Sequence, residues 1–411
     1  MKYGLIAERL GHSYSKIIHE LLGRYNYDLM PMPKEDVEEL LKKREFDGLN
    51  VTIPYKSYVI PFLDWISTDA GRIGAVNTIV NRGGKLCGYN TDYFGFQMTL
   101  YKAEFDVSGK NVLILGSGGT SKTVRTVCTD MGAKRVLVAS RTPGEGMISY
   151  EASKEASVDF IINTTPCGML PDEGVSAIDI RDYKNVSGVV DVVFNPLYTK
   201  LLLDCREAGI PHVNGLYMLV SQAMASAHLF TGKPVTRKET ERIYKAVRDT
   251  TENAVLIGMP YSGKTTIGKL LAEKTGKVFI DTDDEVAKVV GNIPEYIRDY
   301  GERDFRVHES EVIIKLTKTV RGAVIATGGG AVLKPENIRA LRENGRLYYI
   351  DRRVNLMKPD ETRPLSSNKK ALSIRYAERK NIYARECDIR ITNNSTPERA
   401  VQKIMQDRIG K

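Results

Sequence analysis

Two stretches of the chain set a glycine loop between an apolar run and a Lys-Thr pair: LILGSGGTSKT at 113–123 and VLIGMPYSGKTT at 255–266. Glycines at a strand end let the backbone turn sharply, and the following helix offers free N–H groups and a positive dipole end to a phosphate. The second stretch completes G-x4-G-K-T with Gly258, Gly263, Lys264 and Thr265. In that pattern the backbone cradles phosphates, the lysine meets the β and γ oxygens, and the threonine hydroxyl ligates Mg2+. Ser262 and Thr266 flank the lysine as further nucleotide contacts. The first stretch has Ser121 where a P-loop needs glycine. Its Gly116, Gly118 and Gly119 read instead as a dinucleotide turn, with Lys122 on the first helical turn, either solvated or near a phosphate.

The end of the next strand bears on which dinucleotide. An acid there reads the ribose of NAD, whereas a basic residue accommodates a 2′-phosphate. Here the residues are Ser140, Arg141 and Thr142, with no acid, which points to NADP. The plainer alternative makes Arg141 a solvated turn residue. Upstream, HSYS (12–15) offers Ser13 and Ser15, two hydroxyls able to clamp a carboxylate. Lys56 stands just past the strand in NVTIPYK, Asn77 lies in GAVNT, and GYNTD sets Asp92 at a helix start. A lysine near a carboxylate can give a proton to a carbonyl oxygen, or take one in reverse. Singly, such residues are ordinarily surface groups.

The elements that must position these residues alternate between strand and helix patterns. KYGLIA, DGLNVTI and the hairpin AVNTIVNRGGKLCGYN, turning at Arg82-Gly83-Gly84, read as strands; SYSKIIHELLGRYN and TDYFGFQMTLYKA read as helices. From residue 111 the repetition becomes βαβ, as in a doubly wound fold. The boundaries expected are a substrate-binding α/β domain over 1–100, a Rossmann-type domain over 101–214, closing helices over 215–248 that pack back on the first domain, a linker at 249–253, and a P-loop α/β domain over 254–411.

The 411 residues carry a net charge of +9, with 30 basic and 29 acidic side chains in 1–250 but 30 and 22 in 251–411. The excess therefore sits beside the P-loop. It suits a nucleotide with an anionic substrate, and no aromatic-rich RNA-binding pattern accompanies it. No apolar run approaches the roughly 18 residues of a membrane helix. The five cysteines form no CxxC pair, and the opening residues are too polar for a signal peptide. A cytoplasmic enzyme of small molecules is expected, with neither membrane nor nucleic acid as partner.

Taken together, HSYS, NVTIPYK, GAVNT, GYNTD, GSGG, SRT, NTTPCGM (163–169), DVVFNP (191–196) and GLYMLVSQA (215–223) resemble the shikimate dehydrogenase family over about residues 3–245. The resemblance implies that Ser13, Ser15, Thr52, Asn77, Asp92 and Gln222 hold shikimate, that Lys56 and Asp92 are the catalytic pair, and that Gly215 joins the NADP(H) contacts. Phe194 stands where the family has tyrosine.

The P-loop part resembles shikimate kinase over roughly 254–408, through VFIDTDDEV, GERDFR, VIATGGGAVL, ETRPLS and ERKNIY. The fold implied is that of nucleoside-monophosphate kinases, and the cofactor ATP with Mg2+. Asp281 then supports the metal beside Thr265, and Asp283 holds and deprotonates the acceptor hydroxyl. Arg306 and Arg379 grip the carboxylate beside Gly328, Gly329 and Gly330. Arg363, on a lid shorter than the family's, joins Lys264 at the transferring phosphoryl group and the nucleotide. TNNSTP (392–397) resembles the adenine loop. The two resemblances imply consecutive reactions, from 3-dehydroshikimate to shikimate and on to shikimate 3-phosphate. The alternatives are a dehydrogenase tethered to a regulatory, ligand-binding kinase-like domain, and a basic nucleic-acid-binding ATPase.

Overall fold

The computed structural model describes residues 2–10, 13–171, 174–358 and 368–409, which form two compact units, Met1–Val247 and Arg248–Lys411. In the first unit, β1 (Tyr3–Ala7), β2 (Tyr27–Pro31), β3 (Gly48–Val51), β4 (Trp65–Ile66), β5 (Thr78–Arg82) and β6 (Lys85–Tyr89) build a six-stranded sheet in the order β2-β1-β3-β5-β6-β4. Only β5 runs antiparallel to its neighbours. The β5–β6 hairpin turns at Gly83 and Gly84, both at positive φ, as expected. Ile6, Val37, Leu49, Val51 and Ile79 are buried together against this sheet. Strands β2 and β4 were not anticipated, nor were the helices Lys34–Lys43 and Thr68–Ile73. β4 has only two residues, too few to carry an alternating pattern.

A second sheet holds β7 (Asn111–Leu115), β8 (Arg135–Ala139), β9 (Phe160–Asn163), β10 (Gly188–Asp191) and β11 (His212–Asn214), all parallel, in the order β11-β10-β9-β7-β8. The chain leaves β7 for β8 on one side and returns to β9 on the other. That reversal makes the carboxyl end of β7 a switch point, where such sheets bind ligands. Its apolar runs are buried on both faces, as a parallel sheet demands. The helix Thr91–Ala103 packs along the helix Leu216–Thr231. Gly95 allows this, since a Cβ there would lie 2.7 Å from the Met218 carbonyl oxygen.

The second unit repeats the parallel theme with β12 (Asn253–Ile257), β13 (Phe279–Asp281), β14 (Val324–Ala326), β15 (Gly345–Asp351) and β16 (Ile389–Thr392), in the order β13-β14-β12-β15-β16. The P-loop follows the central strand β12. The stretch 249–253 differs from the expected linker. The helix Arg237–Thr251 runs through Thr250 and Thr251, Asn253 opens β12, and Thr251, Glu252 and Asn253 are buried. Arg408 explains this, meeting Asp249 at 2.7 Å and Glu252 at 3.4 Å, while Asn253 accepts from the Ala323 N–H. Among the described residues, no helix is long and apolar enough to cross a membrane.

The helix Tyr14–Leu22, which carries Ser15 and is capped by Ser13, is pinned through His19. Its ring is buried, stacks on Tyr27 at 4.0 Å and pairs its Nδ1 with the Tyr25 hydroxyl at 2.7 Å. Burial lowers its pKa to about 3. The folded state therefore keeps His19 neutral, whereas the unfolded chain protonates it below about pH 6.5. Stability is thus lost as pH falls from about 6.5 towards 3, amounting to roughly 2 kcal/mol at pH 5 from this group. Urea titrations at pH 8 and pH 5 should show a smaller acid loss in His19→Phe than in the parent, by about that amount; equal losses would remove His19 as the cause.

Candidate active sites

In the first unit, a cleft of about 370 Å3 gathers the residues expected around one substrate. Ser13, Ser15, Thr52, Lys56, Asn77, Asp92 and Gln222 all line it. Lys56 Nζ donates to Asp92 Oδ2 at 2.6 Å, with both side chains largely screened from water. Asp92 lies in the first turn of the helix Thr91–Ala103, capped by Asn90, where the helix dipole favours a carboxylate. Ser13 caps its helix by accepting from the Ser15 N–H at 3.3 Å.

Asn77 is held from one side only. Its Oδ1 accepts from the Thr91 N–H at 2.7 Å and from the Thr91 and Thr78 hydroxyls at 3.1 Å each. The amide NH2 is thereby aimed by its neighbours while its oxygen is committed. Behind it, Asn50 donates to Thr78 and Ser226, and Thr91 reaches Gln222 Oε1 at 3.4 Å. Sequence reasoning missed this supporting layer. Its one local signal is Asn50, a polar residue inside the buried strand β3.

The same cleft is lined by Thr120, Val192 and Gly215, which bring it to the dinucleotide turn and the ends of β7 and β10. Gly215 was expected among cofactor contacts; it packs so tightly that a Cβ would meet the Val192 carbonyl oxygen at 2.0 Å. Gly116 turns the chain at φ +95, Gly118 caps the helix Gly119–Asp130, and a Cβ at Gly118 or Gly119 would find open space. A phosphate fits that opening at a helix N-terminus. Ser140 is buried within 3.3 Å of Ser117, whereas Arg141 and Thr142 are exposed at the end of β8, one strand over. Lys122 is exposed. Asp191, at the end of β10, was not singled out as a site residue. Burial pushes its carboxyl up to about 6, opposed by donors from Thr199, Val193 and Asn163. It ties the β9 and β10 ends together.

In the second unit the P-loop is wound as its glycines require. Gly258 and Gly263 have φ +145 and +97. A Cβ at Gly263 would sit 2.6 Å from Asn393 Nδ2, which itself donates to the Ser262 carbonyl at 2.8 Å. The TNNSTP segment thus lies on the P-loop. Lys264 is buried, donating to the carbonyls of Gly258 at 2.9 Å and Met259 at 2.8 Å. Ser262 is buried and Thr266 exposed. The Thr265 hydroxyl donates to Asp281 Oδ2 at 2.8 Å, so the two expected metal ligands are adjacent.

A cleft of about 600 Å3 joins Asp283, Arg306, Arg379 and the three glycines 328–330. Arg306 gives Nη1 to Glu309 at 2.6 Å and Nη2 to Glu302 at 2.9 Å. Arg379 donates to the Gly329 carbonyl at 3.1 Å. The Nε groups of both arginines are buried without a partner among the described residues, an arrangement that calls for an anion. A Cβ at Gly330 would fall 2.1 Å from Arg306 Nη2, and one at Gly328 would fall 2.6 Å from both Asp283 Oδ1 and Glu309 Oε1. Burial pushes the Glu309 carboxyl up, Arg306 opposes this, and the Asp283 charge adds to the rise. Arg375, which the motifs did not flag, lines the cleft as well. His12 and Arg363, with the short lid, lie outside the described residues.

Both units have counterparts among known proteins. Residues 5–79 match the family model for the shikimate dehydrogenase substrate binding domain, and residues 260–408 match that for shikimate kinase. A shikimate dehydrogenase (NADP(+)) of Clostridium perfringens strain 13 is 37% identical over 265 residues, covering 60% of this chain and 98% of its own. The chain belongs to the shikimate dehydrogenase family. A shikimate kinase domain follows in the same chain. The solved chorismate mutase/shikimate 5-dehydrogenase fusion of Clostridium acetobutylicum is 39% identical with a TM-score of 0.58, over 60% of this chain and 96% of that one. The Thermus thermophilus shikimate 5-dehydrogenase, solved with NADP(H) and shikimate, is 29% identical with a TM-score of 0.55, over 60% and 99%.

Removing the Asn77 amide strands the Thr91 N–H and the donors around it. Asn77→Ala should cost the first unit roughly 1–3 kcal/mol in denaturant unfolding. A loss within 0.3 kcal/mol would mean that Asn77 does not organise the cluster.

Proposed function

We propose that the chain catalyses two consecutive reactions: NADPH-dependent reduction of 3-dehydroshikimate to shikimate in the first unit, and ATP-dependent phosphorylation of shikimate to shikimate 3-phosphate in the second. On this reading residues 1–100 and the returning helices 215–248 bind shikimate, 101–214 bind NADP(H), and 254–411 form the kinase. The support is chemical completeness. One cleft joins the Lys56–Asp92 pair to carboxylate-sized hydroxyl contacts and a dinucleotide turn. The other unit joins a P-loop, the Thr265–Asp281 pair and a cleft of buried arginines facing Asp283. Its reactants are small molecules, the cytoplasm supplies all of them, and neither membrane nor nucleic acid is needed.

For the reduction, NADPH supplies the hydride when bound. Ser13 and Ser15 hold the substrate carboxylate, and Thr52, Asn77 and Gln222 hold the ring oxygens. Lys56 Nζ releases a proton to the carbonyl oxygen as carbon takes the hydride, so the product is a neutral alcohol. Asp92 orients the Lys56 side chain through their hydrogen bond. Arg141, with Ser140 and Thr142, reads the 2′-phosphate. For the phosphorylation, ATP with Mg2+ supplies the phosphoryl group when bound. Thr265 and, through water, Asp281 suit a Mg2+ that keeps most of its shell on water and phosphate. Arg306 and Arg379 hold the carboxylate, and Asp283 accepts the proton of the attacking hydroxyl. Lys264 and Arg363 balance charge on the group in transfer, in a reaction run mainly by positioning and electrostatics.

A coupled assay with 3-dehydroshikimate, NADPH and ATP tests the whole reading by following NADPH oxidation and ADP release. Lys56→Ala should cut the reduction by at least about 100-fold while shikimate-dependent ADP release holds. Lys264→Ala should do the reverse. Shikimate binding to the second unit without ADP release would leave a regulatory ligand-binding domain in place of a kinase. Separately, Arg141→Ala should raise KM for NADPH roughly 10-fold while moving that for NADH less than about twofold, as loss of a charge-assisted phosphate contact predicts; equal shifts would void the 2′-phosphate assignment.

A further inference from the structure

The second unit's cleft carries a guanidinium beyond the two assigned to the substrate. Arg375 sits one helical turn before Arg379 on the helix Lys369–Glu386, and both line the cleft with Arg306. Its ion pair is with Glu302, at 3.8 Å, through Oε2; the other oxygen of Glu302 is taken by Arg306. That separation exceeds the about 2.7–2.9 Å of a charge-assisted hydrogen bond. Arg375 is therefore held by attraction without being locked, and its side chain keeps 20% of its exposure. Arg306 differs, having both terminal nitrogens engaged by Glu302 and Glu309.

Three arginines (306, 375 and 379) line the cleft with Asp283, Asp284 and Glu309, and Glu302 lies beside Arg306 and Arg375. The arginines also crowd one another. Arg379 titrates below its ordinary range, chiefly through burial, with Arg375 and Arg306 adding repulsion and Tyr383 opposing it. An anion placed between them relieves that repulsion in proportion to its charge.

We propose that Arg375 is a further substrate-binding residue of the second unit, one that exchanges its long contact with Glu302 for a short one to the substrate carboxylate beside Arg306 and Arg379. The inference rests on shikimate being that unit's substrate. Arg375→Leu should raise KM for shikimate about 10-fold, as expected for one lost charged contact, with kcat within about twofold and KM for ATP unmoved. Arg375→Lys, which keeps the charge, should lose less, and serves if the leucine variant folds poorly. Shikimate methyl ester separates charge from shape, since parent and Arg375→Leu should handle it alike. An unchanged KM for shikimate overturns the proposal, as does an equal rise for the ester. If the parent releases no ADP with shikimate, the kinase reading fails by itself. Calorimetric titration of the full chain then still reports on Arg375: one of two shikimate affinities should weaken about 10-fold, and two unchanged affinities overturn the role.

Discussion

A cation withdrawn from water must have acceptors, yet a cation that is to act on a substrate must not be exhausted by them. Both clefts are organised by that constraint. Lys56 meets a single carboxylate, Asp92, so most of its donor capacity still faces the cleft. Lys264 is buried and donates to the carbonyls of Gly258 and Met259. Arg306 is the most heavily compensated of the set, with Glu302 and Glu309 both bound. Arg379 has no carboxylate in an ion pair with it among the described residues; it donates to the Gly329 carbonyl and lies beside Tyr383. The pair thus divides the work between a fixed platform and a charge still in need of an anion.

Compensation at this density requires close approach, which is where the glycines enter. Gly330 lets the Arg306 guanidinium lie against the backbone in a space that a methyl group would fill. Gly328 does the same for two carboxylate oxygens that converge from Asp283 and Glu309. In the first unit Gly95 brings the helix that carries Asp92 onto the helix that carries Gln222. Asp92 and Gln222 are therefore fixed relative to each other by one missing side chain. Packing and chemistry are here a single requirement.

What could be read from sequence follows the reach of each signal. The glycine loops, the hairpin and the helix Thr91–Ala103 are written in adjacent residues, so spacing alone located them. The arrangement behind Asn77 was not legible, because Asn50, Thr91 and Ser226 come from distant segments and look like ordinary polar residues singly. The stretch 249–253 misled for a similar reason. TTEN has the composition of a linker, while Arg408, near the other end of the chain, pairs with Asp249 and with the buried Glu252. Arg375 was hidden in a helix of alternating charges, where nothing local separates a cleft arginine from a solvated one.

On the proposed reading the two clefts meet the same carboxylate by different means, mainly hydroxyls and amides in one and arginines in the other. In the first unit the neutral hydroxyls and amides stand around Lys56, with Arg9 on the same wall. In the second unit, on the same reading, a carboxylate-bearing acceptor approaches a triphosphate, and like charges in a sheltered cleft repel strongly. Arginines at the carboxylate end would screen that repulsion, and Glu302 and Glu309 hold Arg306 in place. Phe194 fits the first pattern. Its ring meets the Tyr14 ring edge-to-face at 5.5 Å on the cleft wall, so the position closes the site by packing while Ser13 and Ser15 carry the polar contacts.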